Sequence, residues 1–456
     1  MLLILILAFV LRLVNLNQSF WLDEAAQVIE SARPLSAQFS IVSDFHPPLF
    51  HLILHFWMML GNSEVWIRLL PVLLGVATVY LIYKLGCCLG KEREGELAAL
   101  FLAISPYHLW YSQEARPYML FVFFSLFSTL MLLRKKWLMY ILTTTLLMYS
   151  LYFAPFVIIG QFCYLVIFEK KNLRQFLKCL LTVILLFLPW LPEFLRQLEQ
   201  GTSGFFRGWT DIVSVNPWKA IPLTFAKFIF GKGTINNLFI YTLAVAPVFL
   251  IFLYCLYVIR KDRSGKMLST FFFVPFALAI FVSFFIPVVA PQRLIFLLPL
   301  FCLIIAKGIS GMIPVGRLLV IFIVVVTGIA GITDYYTNPY VQREEWRQAV
   351  EFVEGSGDDK TLVLFVFPSP FAPYLWYEKG TVEAKGIAPK FILDDNDLAN
   401  LQPEVNNKNR IYLFQYLTGL TDPKEKTRAF LSENGFVNRD TKDFPGVGFV
   451  YIYGKE

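Results

Sequence analysis

The stretch Asn237 to Ile259, NLFIYTLAVAPVFLIFLYCLYVI, runs without one charged side chain. A helix needs about 20 apolar residues to cross the hydrocarbon core of a bilayer, and this stretch is long enough and apolar all round. A water-facing helix would show a polar face instead. Outward from it the signature recurs, at 1 to 17, 65 to 84, 96 to 111, 117 to 133, 137 to 153, 154 to 168, 178 to 193, 268 to 286, 293 to 307 and 317 to 333. The pattern predicts an α-helical polytopic membrane protein of about 11 transmembrane helices. Composition agrees: 57% of the 456 residues are hydrophobic, only 16% are charged and the mean hydropathy is +0.60. Soluble domains carry about 25% charged residues. Fibrous and disordered classes are excluded.

The net charge of +7 implies no nucleic acid partner, because the basic residues fall in short clusters between apolar runs. They report orientation, since short cytoplasmic loops are rich in Lys and Arg. Sixteen fall on one side, from Lys84 to Arg317, against eight on the other, from Arg33 to Arg293. The first side is expected to be cytoplasmic, and an odd number of spans then places the C-terminus outside. No basic segment precedes residues 1 to 17 and no small-residue cleavage site follows them, so they read as a retained membrane helix in a multi-pass plasma membrane protein. The six cysteines lie within apolar runs or beside basic loops and define neither a disulfide framework nor a metal cluster.

Two outer loops are long, 18 to 64 and 194 to 236. The first contains LFHLILHFWMML, Leu49 to Leu60, too short to span and expected to lie in the interface; the second holds GTSGFFRG, Gly201 to Gly208, a flexible run able to cover a site. Two domains are expected, a transmembrane domain over 1–335 and a small extracytoplasmic α/β domain over 336–456. In the latter, strands are predicted at Thr361 to Phe367, Arg410 to Leu417 and Val447 to Tyr453, with helices at Glu344 to Glu354 and Lys424 to Asn434.

This topology brings scattered polar residues to one rim: Asp23, Glu24, His46, Arg68, Gln113, Glu114, Arg116 and Arg293. Ionisable groups at membrane depth are costly and mark functional positions. Asp23 and Glu24 follow the interfacial Phe20-Trp21-Leu22. A carboxylate there can serve as general base, bind a divalent metal, or simply cap the loop helix expected near Ala25. His46, in Asp44-Phe45-His46-Pro47-Pro48, can meet a metal or a phosphate, or be a solvated loop histidine. His51 and His55 share ligand spacing on one helical face, but with no third ligand identified, interfacial packing is the expectation. Arg116 can clamp a phosphate with its guanidinium fork or pair with Glu114. Arg293, between apolar runs, requires an anionic partner, and Arg68 is expected to pair with Glu64 four residues before it.

Five segments together resemble one family: RLVNLNQSFWLDEA (Arg12 to Ala25), DFHPPLF (Asp44 to Phe50), RLLPVLLG (Arg68 to Gly75), SPYHLWYSQEARPYML (Ser105 to Leu120) and PQRLIFLLPLFCLIIAKGI (Pro291 to Ile309). The chain resembles the polyprenyl-phosphate-sugar-dependent glycosyltransferases of the C-type (GT-C) fold, specifically glycosyltransferase family 39, which includes protein O-mannosyltransferases; bacterial aminoarabinose transferases look related. The resemblance covers roughly the first 310 residues. It implies an inverting transferase that takes a sugar from a polyprenyl-phosphate donor at the outer face. By it, Asp23 is the catalytic base or acceptor-binding residue, with Glu24 supporting it or touching the acceptor. His46 lies beside the donor pocket, and Arg116 and Arg293, with Tyr118 in the same turn as Arg116, bind the donor phosphate. Several relatives have Asp after Arg-Pro where this chain has Tyr118, which counts against a metal site built from two aspartates; a divalent metal held by Asp23 and His46 stays open.

The chemistry fits independently. A phosphate leaving group needs cations and an incoming hydroxyl needs one base, and the donor's lipid tail would present its sugar at the depth of this rim. Expected partners are the lipid-linked donor, membrane lipids, and a lipid, glycan or protein acceptor. A transporter or lipid flippase is the alternative, but it would place polar or broken helices near the midplane; a receptor with a ligand-binding outer domain is the other. The enzyme reading expects Asp23, His46, Arg116 and Arg293 to gather at one pocket.

Overall fold

A computed structural model describes residues 1–41, 44–201, 215–233, 237–286 and 288–456. The chain forms two compact units: a helical unit of Met1–Leu16, Pro34–Gln197 and Ser214–Val341, and a sheet unit of Asn17–Arg33, Leu198–Val213 and Gln342–Glu456. The sequence predicts a single boundary after residue 335. The structure instead places Asn17–Arg33 with the C-terminal residues, because polar pairs tie them there. Arg343 donates its backbone N–H to the Gln18 side chain at 2.9 Å, Arg347 donates to the Asn17 carbonyl at 3.0 Å, and Leu22 packs against the sheet unit's core.

In the helical unit every expected span falls on a helix. Among the described residues six are long and apolar enough to cross a membrane: Glu64–Leu89, Lys170–Gly201, Leu238–Ile259, Arg263–Ser283, Pro291–Ser310 and Pro314–Thr337. Leu2–Leu13, Tyr118–Leu133, Trp137–Met148 and Ala154–Phe168 are shorter apolar helices; twelve residues rise about 18 Å against a core of about 30 Å. The span expected at 96 to 111 is broken into Glu92–Ala103 and Pro106–Ser112. Pro106 has no N–H to continue the ladder and disfavours helix before it, and Ser105 caps the restart by accepting from the His108 N–H.

Pro291–Ser310 is the most enclosed of the long helices, with 83% of its apolar window buried. Phe301 on it stacks on Phe252 with ring centroids 4.6 Å apart. The helices Glu64–Leu89 and Glu92–Ala103 meet at Gly86 and Gly95, where a Cβ on Gly86 would come within 2.5 Å of the Gly95 Cα. Small residues let membrane helices approach this closely. The expected interfacial helix is present as Leu49–Met58. A further helix, Pro217–Phe230, lies in what the sequence predicts as loop. Of the run GTSGFFRG, residues 202–208 lie outside the described residues.

The sheet unit is built on five strands, β1 (Thr361–Phe365), β2 (Glu383–Gly386), β3 (Arg410–Phe414), β4 (Phe436–Phe444) and β5 (Gly448–Lys455), in the order β2-β1-β3-β5-β4. β1 pairs parallel with β2 and β3, while β5 runs antiparallel between β3 and β4. Helix Trp346–Ser356 covers one face, burying Trp346, Val350 and Val353 against Phe365 and Phe414. Leu398, Leu401 and Leu431 from helices Asp395–Asn406 and Lys426–Glu433 cover the other. The three inner strands, β1, β3 and β5, are those the apolar pattern predicts. The two unexpected ones are the edges: β4 (FVNRDTKDF) is exposed over most of its length, and such a strand carries no alternation to read.

Candidate active site

Asp44 is the hub of the helical unit's polar cluster. It stands in the loop ahead of helix Leu49–Met58, and the loop's two prolines, Pro47 and Pro48, fix the entry to that helix. His46 binds the Asp44 carboxylate through Nδ1. His51, one turn into the helix and fully buried, places Nε2 3.1 Å from Asp44 Oδ2. Arg116 brings Nη1 within 3.4 Å of the same oxygen and Nη2 within 3.4 Å of His46 Nδ1. Asp44 is 14% exposed and Arg116 8%, so the pair is mostly withdrawn from water but still reachable.

The electrostatics follow from this packing. Burial alone would raise the Asp44 carboxyl, but the charges of His46 and Arg116 and the hydrogen bonds of both histidines hold it well below the usual carboxylate range. Burial lowers His46 below its ordinary value; the Arg116 charge adds to this, and Asp44 only partly opposes it. The result is an ionised Asp44, a cationic Arg116 and a His46 that favours its neutral form. With Nδ1 bound to the carboxylate, the neutral tautomer leaves Nε2 as the acceptor.

A second layer fixes the loop. Gln197 Nε2 donates to three carbonyls of the Asp44 loop, those of Ile41, Asp44 and His46, at 2.5, 2.8 and 3.3 Å. The Gln197 side-chain oxygen accepts from the Tyr152 hydroxyl, which in turn accepts from Trp190 Nε1 at 2.9 Å. Neither Gln197 nor Tyr152 is legible as a site residue in sequence. Asp44 has one signal, its place two residues before His46, which a reading of His46 alone passes over.

The other expected residues sort as follows. Tyr118 packs edge-on to Tyr111 with centroids 5.0 Å apart, at the start of the helix that follows Arg116. Arg293 donates to the Val288 carbonyl at 3.0 Å; its turn packs on the Tyr118–Leu133 helix, where Phe296 meets Phe121 at 5.3 Å. Glu114 accepts from Trp110 Nε1 at 2.8 Å, and Arg116 finds its carboxylate in Asp44. Gln113 donates to the Arg12 and Val14 carbonyls at 3.0 and 2.6 Å, and Arg68 to the Leu16 carbonyl at 2.9 Å; both tie down the end of the first helix. His51 is not the interfacial packing residue that its spacing suggests, since an acid faces it. His55 packs edge-on to Phe56.

Asp23 and Glu24 belong to the sheet unit. Both lie in the first turn of helix Leu22–Ala32, whose N-cap is Trp21, where the helix dipole favours negative charge. Asp23 is half-buried, whereas Glu24 is fully buried on the face that also carries Ala25, Val28 and Ser31. The helix start is anchored where the Phe20 N–H donates to the Tyr377 hydroxyl at 2.8 Å.

A metal does not suit the Asp44 cluster. His46 Nδ1 and both carboxylate oxygens are already engaged, and a divalent cation there would meet the Arg116 charge. Among the described residues, no three His, Cys, Asp or Glu side chains are arranged to hold a metal ion. What the cluster offers is a fixed cation with a histidine acceptor beside it, a pairing suited to a phosphate ester.

Comparison with known proteins bears on this site. Residues 45–192 match the model of the family described as dolichyl-phosphate-mannose-protein mannosyltransferase, a segment that contains His46, Arg116 and Gln197's partner Tyr152. No curated protein sequence matches the chain. Among solved structures, ArnT from Cupriavidus metallidurans in the apo state is similar with a TM-score of 0.63 at 12% identity, over 99% of this chain and 97% of that one. The same protein bound to undecaprenyl phosphate gives 0.65 at 11% identity, with the same coverage. The Archaeoglobus fulgidus oligosaccharyltransferase tethered with an acceptor peptide gives 0.58 at 13% identity, over 99% of this chain and 73% of that one. The chain therefore has the GT-C glycosyltransferase fold, a multi-pass helical unit with a small C-terminal sheet unit, and resembles glycosyltransferase family 39 in the segment that carries His46 and Arg116.

Proposed function

We propose that the protein is an inverting glycosyltransferase that moves a sugar from a polyprenyl-phosphate-linked donor to an acceptor hydroxyl or phosphate at the outer membrane face. The observation that carries the proposal is the mostly buried Arg116 cation, paired with Asp44 beside a neutral-favouring His46, inside the segment that matches the mannosyltransferase family. The undecaprenyl-phosphate complex of a protein with this fold supports the donor class, and the peptide-tethered oligosaccharyltransferase supports transfer to an acceptor.

In this reaction Asp23 takes the acceptor's proton as its oxygen attacks the anomeric carbon, and Glu24 supports Asp23 or contacts the acceptor. The bond to the phosphate breaks with its electron pair leaving on the polyprenyl phosphate. Arg116 and Arg293 meet that charge, with His46 and Tyr118 contacting the same group. Preorganised cations of this kind stabilise the charge that develops in the transition state. The distribution of Lys and Arg supports an extracytoplasmic C-terminal unit and active site. The sugar, hexose or pentose, is set by contacts that the donor would make beyond its phosphate.

The decisive experiment incubates the purified chain with labelled undecaprenyl-phosphate hexoses and pentoses. Asp23→Asn is expected to abolish the transfer that the unaltered chain performs while expressing normally; transfer at the full rate would refute the assignment. Labelling of cysteines placed at 23 and 116 should come from the outer side for both.

A further inference from the structure

The helix that carries Asp23 has no capping side chain at its N-cap position. Trp21 occupies the N-cap and offers no acceptor oxygen, although the first four N–H groups of any helix lack partners within it. A second chain segment lies against this helix start, more than three hundred residues later: Leu22, at the first helical position, packs in the cluster that holds Trp346, and the Glu344 carboxylate interacts with the Leu22 backbone. That carboxylate also accepts from Trp346 Nε1 at 2.7 Å and from the Tyr416 hydroxyl at 3.0 Å.

Glu344 is itself held from several directions. Its carbonyl accepts from the Ser19 hydroxyl, and the next residue donates its N–H to the Pro445 carbonyl at 2.9 Å. Gly446 in the β4–β5 turn packs so close that a Cβ there would stand 2.8 Å from the Glu344 Cα. Tyr416 is braced edge-on by Trp346 and Phe371, each with centroids 5.0 Å away. Burial pushes the Glu344 carboxyl above its ordinary value against the pull of its donors, and the Asp23 charge adds to the push, which places the two acids within each other's field. A carboxylate at a helix N-terminus satisfies an orphan N–H and sits at the positive end of the dipole.

We propose that Glu344 is a positioning residue for Asp23: the sheet unit supplies, through the Glu344 carboxylate with Trp346 and Tyr416 behind it, the cap that fixes the first turn of the helix on which the base rides. This rests on Asp23 being the base. Its consequence is that the C-terminal unit is part of the catalytic apparatus, because it sets where the base stands.

The test uses the full chain, with Glu344→Gln as the main variant and Tyr416→Phe as the milder one that keeps the ring packing. Glu344→Gln keeps the volume but loses the charge and one acceptor oxygen. It should lower kcat about 10- to 100-fold, the range in which a base displaced by about 1 Å falls, with KM for the lipid-linked donor unchanged. Tyr416→Phe should lower kcat less, in the same direction. Amide exchange over residues 20 to 26 should quicken in both variants while β1 and β3 stay protected. If Asp23→Asn is inactive but both other variants turn over at the full rate, the inference fails and the function stands. If Asp23→Asn is itself active, both fail together. Loss of protection across the whole sheet in both variants would also overturn it, because Glu344 would then be a folding residue only.

Discussion

The Gln197 side-chain amide donates to the Asp44 carbonyl at 2.8 Å, joining residues 153 apart in the chain. One amide group thus fixes the loop that carries both Asp44 and His46. Gln197→Ala removes the two N–H donors that serve three carbonyls, each donor worth about 1 kcal/mol net, and should raise KM for the lipid-linked donor about tenfold or more. Gln197→Glu should be worse than alanine, since a carboxylate cannot donate to carbonyls and adds a second negative charge beside Asp44. Steady-state kinetics of the two variants decide it; a glutamate no worse than alanine would mean that the donor role is misassigned.

Arg116 balances Asp44 and, in the proposed reaction, would also meet the donor phosphate, two tasks that its fork can serve at once. Arg116→Ala leaves Asp44 without its cation, and breaking a mostly buried ion pair costs about 3 kcal/mol. The variant should therefore lose both thermal stability and donor binding. Arg116→Lys keeps the charge but not the planar, two-pronged geometry. It should recover stability better than it recovers affinity for undecaprenyl phosphate, measured by equilibrium binding to the detergent-purified protein. Equal recovery of both would remove the phosphate role.

The lowered His46 value has a signed consequence. A group whose folded value is depressed contributes stability that is complete above its unfolded value, about 6.5 for histidine, and lost as pH falls through the folded value. The melting temperature should then be level from about pH 8 to 7 and decline as pH falls below about 6.5. Asp44, depressed as well, adds its own loss only below its ordinary value of about 3.9. His46→Gln, which cannot be protonated, should flatten the first decline and leave the second. Identical slopes for both proteins between pH 6.5 and 5 would contradict this.

The spans were legible because about 20 apolar residues in a row admit few other readings, and the inner strands β1, β3 and β5 because their runs are apolar and short. Helix Pro217–Phe230 was hidden by Lys219, Pro222 and Lys227, which break its apolar run although Phe225 and Phe228 are buried. The halves of the candidate site were unequally visible. His46 and Arg116 stand in recognisable segments, but nothing local to Gln197 or Glu344 reveals that one holds the Asp44 loop and the other meets Ser19, just ahead of the Asp23 helix. Hydrogen bonds across such separations are set by packing, which periodicity does not encode. The sequence also treats 17 to 33 as loop of the membrane domain, since its polar ties to Gln342, Arg343 and Arg347 are contacts at long range.

Gly446 offers the last prediction, because it separates backbone strain from close packing. Its φ is +80°, so any side chain there is strained by about 1–2 kcal/mol, and a Cβ would also press to 2.8 Å from the Glu344 Cα. Gly435 is the matched control: its φ is +77°, and a Cβ would meet nothing within 4 Å. Gly435→Ala should carry the backbone cost alone, lowering the melting temperature of the sheet unit by about 5 °C with kcat unchanged. Gly446→Ala should lower it further and also depress kcat, because the backbone it displaces is that of Glu344, the residue proposed to position the Asp23 helix. The two substitutions share a conformational penalty and differ in one contact. If they behave alike in both melting and turnover, the approach of the β4–β5 turn to Glu344 has no bearing on where Asp23 stands.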